Sequence, residues 1–226
     1  MQTCKVGHRS PVSLSLELPA LLKIGRVVIA FQEWSATEHH SCAFLTPVER
    51  DRFAKLRSTM ARAEFIAART ALHHAGLALG RDLSASHINY DWKSGKPYLD
   101  DALNPSFNFS LAHTSGLAHT SGLACCVASL HHQVGCDCER WDRSIHTNAL
   151  SCFFQRRFPT KKEYLVEWAK FEASLKLRSQ RLIDRIDERG RLIASSGEVH
   201  EAHISHVTFD LNKTYVVSYC TDSSKS

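Results

Sequence analysis

A chain of 226 residues, 43% hydrophobic and 23% charged, can bury a sizeable core without disulfides, as one large domain or as two small ones sharing a core; a disordered or fibrous protein is excluded. Its net charge of +5 is mild and its basic residues are spread along the chain, which suits an anionic ligand and argues against nucleic acid as a partner. Pro11, Pro19 and the charges Lys5, Arg9, Glu17 and Lys23 break every early apolar run before it reaches signal-peptide or membrane-span length, so a soluble, cytoplasmic chain with no membrane partner is expected.

In chain order, the β-branched and aromatic run from Gly25 to Glu33 reads as a strand. Thr46-Pro47-Val48-Glu49 then starts a helix, with a capping threonine, proline at the first helical position and a glutamate placed to reach back to the cap. Helical spacing of Phe65, Ala68, Leu72 and Leu79 predicts a second helix from Met60 to Leu79. Lys55, Arg57, Arg62 and Arg69 lie on or between these helices, and taken singly each reads as part of a solvated face. Ser94-Gly95-Lys96-Pro97 predicts a turn with a lysine at its tip.

Strands are expected over Phe107 to Leu111 and Leu123 to Leu130, separated by a loop in which one hexapeptide occurs twice: His113-Thr114-Ser115-Gly116-Leu117-Ala118 and His119-Thr120-Ser121-Gly122-Leu123-Ala124. Gln133 to Glu139 reads as a strand, and His131-His132-Gln133 as the seam between an N-terminal half over residues 1–130 and a C-terminal half over 134–226. A helix starts at Thr160 after Pro159, and three further strands are expected over Gly190 to Ala194, His203 to Asp210 and Thr214 to Cys220. Strands and helices without strict alternation predict an α+β fold. The eight cysteines match neither a disulfide framework nor zinc-ligand spacing, so Cys136 and Cys138 are read as small buried apolar residues.

Two segments carry chemistry. In Gly135-Cys136-Asp137-Cys138-Glu139, strand alternation sends Asp137 and Glu139 to one face and the cysteines to the other. Paired carboxylates raise each other's pKa unless a cation lies between them, and hard oxygen donors favour magnesium over zinc. Otherwise the pair is simply a solvated strand end. The glycine before them allows a ligand or another backbone to come close. In the second segment, Trp168, Glu172 and Lys176 are successive i,i+4 neighbours on one helical stripe, which reads either as one side of a site or as a surface ion pair beside a core tryptophan.

Together these segments resemble the signature of phosphopantetheinyl transferases, a glycine-x-Asp-x-Glu strand followed by a Trp-x-x-Lys-Glu-x-x-x-Lys helix. Gly95-Lys96-Pro97-Tyr98, Phe107-Asn108-Phe109-Ser110 and the His-Thr repeat come in the family's order, and the resemblance covers residues 46 to 220. It implies two similar α/β halves related by a pseudo-twofold axis with coenzyme A in the cleft between them, and the chain length resembles that of the single-chain, monomeric type. By the resemblance, Asp137, Glu139 and Glu172 match magnesium ligands, and Glu172 and Lys176 match the catalytic pair. Lys96 and either His113-Thr114 or His119-Thr120 match phosphate contacts, with Lys55, Arg57 and Arg62 as looser ones. The implied activity is transfer of the phosphopantetheine arm of coenzyme A to a serine of an acyl or peptidyl carrier protein. Phe171 stands where the signature has a lysine, and together with the repeat it leaves an alternative: an impaired homologue that binds coenzyme A or a carrier protein without transfer.

Overall fold

The computed structural model describes residues 11–37, 42, 44–84, 86, 88–100, 106–115, 120–145, 147–189, 191–193 and 204–222. In chain order these form β1 (Val12–Leu14), β2 (Ala20–Ile24), β3 (Val27–Ser35), α1 (Pro47–Lys55), α2 (Thr59–Ala78), β4 (Ile88–Tyr90), β5 (Pro97–Leu99), β6 (Asn108–Ser115), β7 (Ser121–Ser129), β8 (Gln133–Arg140), α3 (Thr147–Phe154), α4 (Lys161–Leu177), a short 3-10 turn (Leu182–Arg185), β9 (Ile204–Leu211) and β10 (Tyr215–Asp222). The expected α+β class holds: there are two four-stranded sheets, ordered β2-β3-β7-β6 and β1-β9-β10-β8, and a separate two-stranded β4-β5 ribbon.

The helix starts follow their capping residues. The Glu49 amide donates to Thr46 Oγ1 at 3.3 Å while the Glu49 carboxylate accepts from the Thr46 amide at 3.1 Å, closing the expected capping box. Ser58 caps α2 through the Ala61 amide, and Thr160 caps α4 through the Glu163 amide.

Strand alternation assigns the layers. Cys125 lies in the core between the two sheets, with Ile29, Phe31, Cys136, Cys138, Val217 and Tyr219, whereas its neighbour Cys126 faces the other way, into the cluster that joins α2 to its sheet. Cys136 and Cys138 are thus the buried apolar residues expected, and both are free thiols. On the far side of the second sheet, Tyr164, Leu165, Ala173 and Leu177 of α4 pack onto Val216 and Cys220 of β10. Strand β8 is the edge of that sheet, and its Cys136 amide donates to Ser110 Oγ of β6 at 3.1 Å, so the two sheet edges are tied together.

Three sequence expectations change. The repeat is not a simple loop: 113–115 continue β6 and 121–124 begin β7, paired as His113↔Ala124, Thr114↔Leu123 and Ser115↔Gly122. Its Ser-Gly pair imitates a turn, but Gly122 answers a different need, since a Cβ there would lie 1.9 Å from the Thr114 carbonyl oxygen and 2.7 Å from the Trp34 ring. Of the strand expected over Gly190 to Ala194, residues 191–193 hold a single bridge, Ile186↔Leu192, and the rest lies outside the described residues. The segments β1, β2, β4, β5 and α3 are not among the elements expected from sequence. Of these, β1 pairs in parallel with β9, so a piece of the N-terminal half completes the sheet of the C-terminal half. Among the described residues, no helix is long and apolar enough to cross a membrane.

Candidate functional site

The close fit of α4 on β8 begins at Gly135. A Cβ there would lie 2.0 Å from the Ala173 carbonyl oxygen and 2.6 Å from the Leu177 amide nitrogen, so only glycine lets the helix come this near. The partner that this glycine admits is a backbone of the same chain. Because Val134, Cys136 and Cys138 point into the core between the sheets, Asp137 and Glu139 share the opposite face, toward α4.

Both carboxylates are buried. Lys176 Nζ lies 2.8 Å from Asp137 Oδ1, and Arg143 pairs with Glu139 Oε1. Glu172, one turn before Lys176 on α4, is close enough to feel the charges of Asp137, Lys176 and Arg143. Thus Glu139 on β8 and Glu172 on α4 each feel the charge of Asp137, with Lys176 and Arg143 acting on all three.

Electrostatically the cluster is short of positive charge. Burial pushes the carboxyls of Asp137, Glu139 and Glu172 above the usual range, and the neighbouring Asp137 charge adds to the shift of Glu139 and Glu172, although Lys176 and Arg143 pull all three down. Lys176 moves up on balance: burial works against its charge, but the Asp137 carboxylate outweighs it. Asp137 Oδ2 is buried and accepts no hydrogen bond from the described residues, which ordinarily costs about 1–3 kcal/mol. Among the described residues, no three His, Cys, Asp or Glu side chains are drawn into a ready-made metal cage, and Lys176 and Arg143 each hold one carboxylate oxygen of the pair. A divalent cation nevertheless fits this donor set: hard oxygens, excess negative charge and one unsatisfied buried oxygen.

The other expected residues lie on other elements of the fold. Lys96 is held by a tight turn in which Asp91 Oδ1 accepts from the Lys93 and Ser94 amides and Gly95 adopts φ +73°. Its ammonium lies 3.4 Å from the Val134 carbonyl, at the start of the strand that bears Asp137, and burial lowers its pKa. There it lines a cavity of about 280 Å³ with Tyr98, Phe107, Asn108, Gln133 and Ser179. His113 is half exposed on β6, 3.6 Å from Glu64 of α2, and Thr114 beside it is buried. Thr120 is exposed, and His119 lies outside the described residues.

Lys55 and Arg57 are exposed at the end of α1 and just beyond it. Arg62 donates from Nε to the Leu56 carbonyl at 3.0 Å, which satisfies a helix-end acceptor. Arg69 corrects the reading of a solvated face: it is buried in a 2.5 Å ion pair with Glu49 and also bonds Tyr90, where it fastens α2 to α1 and β4.

Phe171, the departure from the helix signature, packs edge-on against Phe153 and Phe154 at 5.5 and 5.8 Å, alongside Trp168. It anchors α3 to α4, so the lysine of the signature is replaced by a packing residue. Two neighbours of the cluster were not foreseen, Arg143 and Tyr164. Arg143 follows the acidic strand through a turn, and nothing in its local sequence says that it folds back. No protein-family model matches the chain, and no curated protein matches it.

Proposed function

We propose that this chain is a magnesium-dependent phosphopantetheinyl transferase, which moves the phosphopantetheine arm of coenzyme A onto a serine of a carrier protein. The observation that carries this reading is the pairing of Lys176 with the buried Asp137, whose charge both Glu139 and Glu172 feel and whose Oδ2 has no hydrogen-bond partner among the described residues. The pairing of each four-stranded sheet with one long helix, α2 or α4, supports two related halves with coenzyme A between them. A monomer acting in the cytoplasm belongs to the same reading.

In this reaction the serine oxygen attacks the β-phosphorus of coenzyme A, the bond from that phosphorus to the oxygen bridging it to the α-phosphate breaks, and 3′,5′-adenosine bisphosphate leaves. Asp137, Glu139 and Glu172 would hold a magnesium ion, which would supply charge neutralisation at the diphosphate. Glu172, whose carboxyl is raised first by burial and then by Asp137, would take the serine proton. Lys176 donates hydrogen bonds toward the leaving oxygen, and Lys96 holds the phosphates at the other end of β8. The 3′-phosphate is assigned to His113 and Thr114 or to His119 and Thr120, with Lys55, Arg57 and Arg62 as outer cations.

The alternative, binding without transfer, draws on Phe171 and on the two cations already seated on the acids. Incubation with apo carrier protein, coenzyme A and magnesium, followed by mass spectrometry, separates the two. A carrier heavier by one phosphopantetheine unit supports transfer, whereas coenzyme A binding with an unchanged carrier mass supports the alternative and overturns the enzyme.

A further inference from the structure

Arg143 has no part in the transfer step above, yet it lies where positive charge is most needed. The chain leaves β8 at Arg140 and turns at once. The Trp141 amide donates to the Thr214 carbonyl at 3.0 Å, the Trp141 indole donates to Asp210 at 2.8 Å, and the Arg143 amide donates to the Arg140 carbonyl at 3.2 Å. With Arg140 clamped on Asp142 by two hydrogen bonds of 2.8 and 2.7 Å, this turn aims Arg143 back over the acidic face. Its guanidinium pairs with Glu139, and Asp137, Glu139 and Glu172 all feel its charge.

The two partners differ in a way that matters. The Glu139 side chain is 7% exposed and fixed on a strand, while that of Arg143 is 49% exposed on a turn. A half-exposed guanidinium that releases its partner is rehydrated by solvent at little cost, whereas a buried carboxylate that loses its cation is stranded. Lys176, by contrast, is 31% exposed and rises from the helix that packs on Gly135, so it is far less free to leave.

We propose that Arg143 is an exchangeable counter-ion, which neutralises the acidic face when no divalent cation is present and is displaced from Glu139 when one binds. Cation and guanidinium compete for the same carboxylate oxygen, so affinity for the metal is lowered by the fraction of molecules in which Glu139 is engaged. This inference rests on the proposed metal role of Asp137 and Glu139, and it adds that the chain regulates its own metal affinity.

Calorimetric titration with Mn²⁺ in the absence of coenzyme A tests it, on the whole chain and on Arg143→Ala, Arg143→Lys, Asp137→Ala and Glu139→Gln. The expected result is that Arg143→Ala binds Mn²⁺ about tenfold more tightly than the unaltered chain, with Arg143→Lys between them and Asp137→Ala without binding. Circular dichroism melts give a second readout. Arg143→Ala should melt lower than the unaltered chain without metal and gain more from saturating Mn²⁺. Should Arg143→Ala fold poorly, the same ordering is expected of Arg143→Lys against the unaltered chain.

If Mn²⁺ binds equally or more weakly when Arg143 is replaced while Asp137→Ala still abolishes binding, the metal site stands and the counter-ion proposal falls. If neither the unaltered chain nor Arg143→Ala binds Mn²⁺, both fall together.

Discussion

The two long helices each cover the outer face of one sheet, but they do so with opposite chemistry. Helix α2 meets its sheet through small apolar side chains, Ala63, Ala67, Ala71 and Ala75, with the Arg69–Glu49 ion pair placed on the side toward α1. Helix α4 meets β8 over Gly135 and sets Lys176 and Glu172 against two buried acids. An alanine seam costs little side-chain entropy, although the buried Trp34 indole that packs against it has no hydrogen-bond partner among the described residues. The α4 seam keeps three carboxyls with raised pKa values and, among the described residues, one buried Asp137 oxygen without a hydrogen-bond partner, an arrangement that lowers stability.

The sharpest break in this comparison is expected at Gly135. Gly135→Val would drive a branched side chain into the Ala173 carbonyl and push α4 off the sheet, and a loss of about 3 kcal/mol or more is expected, read as a fall in Tm of about 10 °C. A melt within a degree of the unaltered chain would show that the helix is not seated on this strand as described.

Next in size is Asp137→Ala, which should reduce transfer at least about a hundredfold while the protein remains folded, because it removes the charge and the orphaned oxygen on which the site depends. Retention of full activity with magnesium would remove Asp137 from the mechanism. In the other seam, Ala71→Gly should cost about 1 kcal/mol through helix propensity and leave transfer unchanged. Were its kcat to fall as far as that of Asp137→Ala, the two seams would not differ in function.

The smallest effect carries a sign. Glu172 has a folded pKa above its unfolded value, first from burial and then from Asp137, so its ionised form opposes folding at pH values above the folded pKa. That cost is relieved as pH falls through the folded pKa and is absent below the unfolded one. Glu172→Gln should therefore raise Tm in metal-free buffer by about 1–2 °C at neutral pH, after allowance for solvent screening. The gain should fade toward acid pH, and transfer should be lost. A gain that grows on acidification would reverse the assigned shift.

Local chemistry made much of this molecule legible in advance. The helix starts at Thr46 and Thr160, the strand alternation that puts Asp137 and Glu139 opposite two core cysteines, and the Trp168-Glu172-Lys176 stripe all depend on residues within a few positions of one another. Even the need for a close approach at Gly135 was readable, although its partner was not.

What sequence alone determined was therefore periodic and short-range: element type, the face on which each side chain lies, and the acid and base types available for chemistry. Tertiary structure alone decided which elements meet. It drew the His-Thr repeat into paired strands, buried Arg69 against Glu49, turned Phe171 into a packing residue for α3, and folded Arg143 back onto Glu139. The physical reason is that a residue's neighbours along the chain fix its backbone preference, while its charge partners and close contacts come from segments whose encounter depends on the burial of the whole core.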